Sequence, residues 1–210
     1  MIIEQPARFL RWLYPHALWR MDPSEKAVYL TFDDGPIPEA TPFVLDLLDE
    51  LGIKATFFMV GDNVRKYPEL YLEVLRRGHH VGNHTFNHIG GIKWLSWKYL
   101  ANVYRCDRLF KTLTPRRNIN LFRPPHGYMG LVQYRTLRYS GYTVVMWDLV
   151  TRDYSRLLSA DDVLANVKRY ARPGSIITFH DSLKSIDKLR LMLRSALEWL
   201  RNEGYEFKLL

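Results

Sequence analysis

Two adjacent carboxylates, Asp33 and Asp34, stand where the apolar run Val28-Tyr29-Leu30-Thr31-Phe32 meets Gly35-Pro36. The run reads as a buried strand, and the Gly-Pro pair turns the chain directly after it. Adjacent acids repel each other and are costly to desolvate, so the pair makes sense when one binds a cation and the other accepts a proton. Taken alone, Asp-Asp-Gly is equally an ordinary solvated turn. Downstream, His84 and His88 are spaced i, i+4. On one helical turn that spacing presents both imidazoles to the same side, where they can share a metal. With Asp34 they make two histidines and one acid, the donor set of a catalytic zinc-type site with a position left for water. Water on such a metal loses a proton near neutral pH. Asp33 can then act as general base, and His180, at the end of another apolar run, can protonate a leaving group. Arg123-Pro124-Pro125-His126-Gly127 is a stiff loop. An amide N–H there can stabilise an oxyanion, and Arg123 can pair with Asp33 to keep it ionised. One metal, one base and one acid from separate segments describe a hydrolase.

The elements that must hold these residues follow a repeated theme. A helical pattern ends at glycine and a β-rich run follows: Leu45–Leu51 before Gly52, Leu70–Arg77 before Gly78, Thr136–Ser140 before Gly141, Val163–Ala171 before Gly174, and Leu189–Asn202 before Gly204. Glycine just past a helix supplies the left-handed residue that frees the chain to turn. Alternating strand and helix implies βα units on a parallel sheet. About seven strands are predicted, in one barrel-like α/β domain that is short for a complete eight-unit barrel. Asp33, Asp34, Asn83, His84, His88, Arg123, Asp148, Asp153, His180 and Asp181 all fall at the carboxyl ends of predicted strands, the side on which such barrels carry their active sites.

Composition narrows the function classes. Hydrophobic residues at 47% can build a sizeable core, and 210 residues suit one domain. The formal charge of +8 suits a polyanionic partner. Its basic residues are spread through the chain with no Lys/Arg-rich run, so a solvated basic surface is expected and no nucleic-acid partner. Cys106 is the single cysteine, which excludes an intrachain disulfide and a cysteine-rich zinc site; a buried thiol is expected. Neither a membrane-spanning run nor a secretory pattern is readable, so a cytoplasmic or membrane-peripheral location is expected. Residues 5–20 mix Arg8, Arg11 and Arg20 with Phe9, Leu10, Trp12, Leu13, Tyr14, Leu18 and Trp19. They read as a helix packed on the domain, with a membrane-surface helix as the alternative; Pro15 shortens any continuous face.

Thr31-Phe32-Asp33-Asp34-Gly35, His84-Thr85-Phe86-Asn87-His88, Arg123-Pro124-Pro125-His126-Gly127 and the strand-end His180-Asp181 together resemble the polysaccharide deacetylases of the NodB-homology type, carbohydrate esterase family 4. The resemblance divides the chain into an N-terminal segment, 1–25, and a catalytic domain, 26–210. It implies a distorted (β/α)7-type barrel and hydrolysis of N-acetyl groups on amino-sugar glycans such as peptidoglycan or chitin-like oligosaccharide. It also implies Asp34, His84 and His88 as ligands of a divalent metal (Zn2+, with Co2+, Ni2+ or Mn2+ as alternatives), Asp33 as base, His180 as acid, and the His126 amide in the oxyanion hole. Two motifs depart from the pattern. In the family's Asp-x-x-Asp-Trp the first Asp tunes the acid histidine; here the stretch is Val150-Thr151-Arg152-Asp153-Tyr154. The missing carboxylate predicts a lowered His180 pKa, with Asp148 as the candidate substitute. The usual Leu-x-His is Thr178-Phe179-His180, which predicts an altered wall for the acetyl methyl. Deacylation of a sugar lipid or an O-acetyl ester at a membrane surface, and a non-catalytic metal or polyanion binder, are the competing functions.

Overall fold

A computed structural model describes residues 4–210. In chain order its elements are α1 (Arg8–Leu13), β1 (Ala27–Asp33), α2 (Thr41–Glu50), β2 (Thr56–Met59), α3 (Gly61–Lys66), α4 (Pro68–Arg76), β3 (His80–Asn83), α5 (Ser96–Leu113), β4 (Leu121–Phe122), α6 (Leu131–Tyr139), β5 (Thr143–Val144), β6 (Leu149–Val150), α7 (Ala160–Tyr170), β7 (Ser175–His180), α8 (Ile186–Asn202) and β8 (Glu206–Phe207).

The strands lie in the order β5-β4-β3-β2-β1-β7-β6, every neighbouring pair parallel. They curl into the distorted (β/α)7 barrel that the resemblance implied. A short eighth strand, β8, adds itself beside the first residues of β1. β6 and α3 escape the sequence pattern, because elements of two and six residues are too short for a periodicity to register.

The central strand is β1. All seven of its residues are buried, as expected for a parallel strand covered on both faces. Phe32 stacks between Phe57 of β2 and Phe179 of β7, with ring centroids 5.1 and 5.7 Å away. This apolar floor, continued by Leu189, Leu193, Ala196 and Leu200 along one face of α8, fixes the position of the β1 and β7 ends. Asp33 is in register with His180 across that pair. The curled sheet does not close on itself: β5 and β6 are its ends, and residues 14–20 run between them. Leu18 bridges to Val145 in parallel, and Arg20 to Ser175. Tyr14, Ala17 and Trp19 are buried in a second apolar cluster with Phe122, Tyr134 and Val144.

Candidate active site

Three ligating side chains converge at the carboxyl end of the sheet. Asp34, the first residue after β1, has a left-handed backbone (φ 82°) that swings its carboxylate off the strand axis. Asp34, His84 and His88 each offer one ligand atom, all within 4.8 Å of one another. His84 Nε2 lies 3.7 Å and His88 Nε2 3.0 Å from Asp34 Oδ1.

The histidines do not share a helical turn, contrary to the i, i+4 reading. Residues 84–88 form a loop in which Thr85 (φ 62°) and His88 (φ 53°) are left-handed. The Asn83 side chain accepts from the Thr85 amide at 2.8 Å and closes an Asx-type turn. The Asn102 carboxamide oxygen, on α5, accepts from the amides of Phe86 and Asn87. The loop thus brings the two rings together by side-chain capping, with 5.1 Å between their centroids.

The local chemistry fits a cation. His84 Nδ1 must donate, since its partner 2.8 Å away is the Arg123 carbonyl; that leaves the Nε2 lone pair for a metal. Burial, against the charges of Asp33 and Asp34, pulls the His84 pKa down to about 4, so the ring is a neutral ligand. Burial alone would raise the pKa of Asp34, but the adjacent imidazole of His88 and the charges of His180 and His84 hold it well below the usual carboxylate range. Asp34 Oδ1 is buried with no donor in hydrogen-bond geometry. An ionised, orphaned oxygen facing two imidazoles is the place where a divalent ion belongs.

Asp33 sits beneath this cluster, buried, with its Oδ1 2.6 Å from Arg123 Nη1. Arg123 is itself fully buried; Nη1 also donates to Thr31 Oγ1 and Nη2 to the Met146 carbonyl. Its guanidinium lies 4.1 Å over the Phe58 ring. No protein donor among the described residues engages Asp33 Oδ2, which stays free to take a proton. Thr178 is buried, with its hydroxyl 3.2 Å from that of Thr31, which in turn accepts from Arg123 Nη1.

The expectation for His180 is overturned. Its carboxylate partner is Asp153: Nδ1 donates to Oδ1 at 2.8 Å, and the His180 backbone amide donates to Oδ2 at 2.7 Å. Burial would lower the His180 pKa, yet the charge and hydrogen bond of Asp153, with Asp34 and Asp33 beyond, raise it to about 9. Val150 therefore leaves no gap. Asp148 does not substitute for it: Arg172, Ser175 and Arg11 hold Asp148 at the amino end of β7, the end opposite His180. Tyr154, in place of tryptophan, meets the His180 ring edge-on with centroids 4.8 Å apart.

The loop after β4 forms the remaining edge. His126 (φ 59°) and Gly127 (φ 74°) are both left-handed, and the His126 ring stands edge-on to His88 at 4.8 Å. A Cβ on Gly127 would lie 1.8 Å from the Trp147 ring, so only glycine fits there. Two residues to which the sequence assigned no catalytic role pin this architecture. Asp181 accepts from the Gly35 amide and the Thr41 hydroxyl, and burial pushes its pKa up to about 8. The Tyr14 hydroxyl donates to the Met129 carbonyl at 2.5 Å. Cys106 is buried, as expected of the single cysteine.

Residues 20–145 match the family described as polysaccharide deacetylase. A peptidoglycan-N-acetylglucosamine deacetylase of Bacillus cereus is 33% identical over 194 residues, covering 91% of this chain and 90% of the relative. A chitooligosaccharide deacetylase of a Bradyrhizobium species is 34% identical over 156 residues, covering 74% and 71%. Among solved structures, the Bc1960 peptidoglycan N-acetylglucosamine deacetylase in complex with 4-naphthalen-1-yl-N-oxidanyl-benzamide superposes with a TM-score of 0.86 at 29% identity, covering 95% of this chain and 94% of the other. The chain belongs to the polysaccharide deacetylase family, the NodB-homology carbohydrate esterases, and is a carbohydrate deacetylase.

Proposed function

We propose that this chain is a metal-dependent hydrolase that removes N-acetyl groups from an amino-sugar glycan of the peptidoglycan or chitooligosaccharide type. The observation that carries this reading is the buried, donor-less Asp34 Oδ1 facing His84 and His88, with the Asp33–Arg123 and His180–Asp153 pairs on either side. Asp34, His84 and His88 would hold the ion; the two-imidazole, one-carboxylate set suits Zn2+, with Co2+, Ni2+ or Mn2+ as alternatives. Such an ion acidifies water and polarises the amide carbonyl.

The chain's own groups supply the rest. Asp33, paired with and aimed by Arg123, takes the proton of the attacking water on its free oxygen. The His126 amide donates to the oxygen that becomes negative as the carbonyl carbon turns tetrahedral. His180, a cation at neutral pH because of Asp153, gives its proton to the departing nitrogen. The C–N bond breaks to leave acetate and a free amino sugar.

The test is acetate release from chitooligosaccharides and peptidoglycan fragments, measured beside bound-metal content. Asp33→Asn is expected to lose at least about a thousand-fold in turnover while keeping its metal. His84→Ala is expected to lose both. Wild-type turnover in Asp33→Asn rejects the base, and full metal content in His84→Ala rejects the ligand set.

A further inference from the structure

Away from the catalytic cluster, a groove of about 460 Å³ opens between residues 12–16 and α6. Trp12, Leu13, His16, Arg135, Arg138 and Tyr139 are among its walls. Two of its aromatic side chains are almost wholly in water, Trp12 at 84% and Tyr139 at 91% exposure. The start of α6 adds exposed Leu131 and Val132, four and five residues after Gly127 of the candidate site. Gln133 ties in the next loop by donating to the Gly91 and Trp94 carbonyls, and that loop exposes Ile92 and Leu95. Exposed apolar and aromatic side chains gathered along one groove mark an interaction site.

Charge says what kind. Arg135 and Arg138, at i, i+3 on α6, make no ion pair among the described residues. Residues 74–147 hold a single acid, Asp107, against twelve Lys and Arg, although the remainder of the chain has more acids than bases. The excess positive charge therefore belongs to the β3–β5 side of the barrel, with α5 and α6. A face that mixes unpaired guanidinium groups with exposed tryptophan, tyrosine and aliphatic side chains matches the water–lipid boundary. There, aromatic rings lie at headgroup level and arginines meet lipid phosphates. Nucleic acid offers no place for the aliphatic residues.

We propose that the groove between α1 and α6 docks on an anionic phospholipid bilayer, presenting the adjacent active-site mouth to glycan displayed at the membrane surface. The docking stands on the surface alone; only its bearing on substrate rests on the deacetylase reading.

The experiment is sedimentation of the full chain with vesicles of phosphatidylcholine alone and of equimolar phosphatidylcholine and phosphatidylglycerol, at low and high salt. Acetate release from soluble chitooligosaccharide is measured in parallel. Wild type is expected to pellet with the anionic vesicles at low salt and to stay in solution with the neutral ones. Arg135→Gln/Arg138→Gln is expected to weaken anionic binding about thirty-fold and to flatten its salt dependence. Trp12→Ser is expected to weaken binding without changing the salt dependence, and all variants keep wild-type turnover of the soluble substrate. Equal binding to both vesicle types, wild-type binding by the double variant, or tighter binding to duplex DNA than to anionic vesicles overturns the proposal. If soluble turnover persists in any of these cases, the deacetylase reading stands and docking alone falls; docking without turnover gives the converse.

Discussion

Asp153 holds a proton on His180 and, with His180 as the proposed acid, would set the alkaline side of catalysis. The folded pKa of His180, about 9, lies above the roughly 6.5 of an unfolded histidine. The His180–Asp153 pair therefore stabilises the fold fully below about pH 6.5, and that stability is lost as pH rises through about 9. Two outcomes are expected for Asp153→Asn. The alkaline limb of its kcat/KM profile moves to lower pH, because the imidazolium has lost its counter-charge. Its stability deficit against wild type, measured by urea denaturation, is largest near pH 6 and shrinks toward pH 9. An unchanged alkaline limb removes His180 as the acid. This residue also shows where sequence reading reaches its limit. Asp33, Asp34, His84, His88, Arg123 and His180 are legible because each sits in a short motif at a strand end. The partner of His180 is not, since motif alignment points to Val150. Arg152, a non-glycine residue with φ 62°, bends the chain so that the next residue, Asp153, returns under the histidine. No residue type advertises that bend. The same holds for the left-handed Thr85 and His88, although Asn83 carries a faint Asx-turn signal.

At the scale of elements, Arg123 joins strands that would otherwise meet only through backbone. One guanidinium donates to β1 at Thr31 and Asp33 and to the Met146 carbonyl beyond β5. Burial lowers its pKa, and the charge of Asp33 opposes that fall. Arg123→Ala would leave the Asp33 carboxylate buried without its counter-ion, a change that costs about 3–5 kcal/mol. In a chain of this size the expected fall in Tm is about 10 °C, with deacetylation lost. Gly127→Ala acts on a different element. Its methyl would enter the Trp147 ring space at a φ that favours glycine, so the loop carrying the His126 amide must move. A displacement near 1 Å at an oxyanion donor is expected to reduce kcat by about a hundred-fold, with KM changed far less. The strand-and-helix alternation behind these contacts is readable from glycine-terminated helices. The two-residue β6 that positions Thr151 to Asp153 is not, because it has no room for a period.

Across the whole molecule the N-terminal segment closes the barrel. The sheet stops at β5 on one side and β6 on the other, and residues 4–20 occupy the seam. The Leu18 amide donates to the Val144 carbonyl, and the Met146 amide donates back to the Leu18 carbonyl, at 2.8 and 2.7 Å. The Glu4 carbonyl accepts from Val150, and its carboxylate pairs with Arg152, the residue before Asp153. Arg11 reaches buried Asp148, and Arg20 donates twice to the Pro173 carbonyl. Tyr14 and Trp19 add two buried aromatic side chains, each worth about 2–3 kcal/mol of burial. Removing residues 1–20 would therefore expose the second apolar cluster and free the edges of β5 and β6 for pairing with other chains. The expected result is a stability loss of at least about 5 kcal/mol, a Tm lower by about 10–20 °C, and aggregation in place of a soluble, membrane-indifferent enzyme. Point changes at Trp12, Arg135 and Arg138 leave that seam intact, so they separate docking from folding where truncation mixes the two. A truncated chain with wild-type Tm and turnover would show that the seam carries no stability.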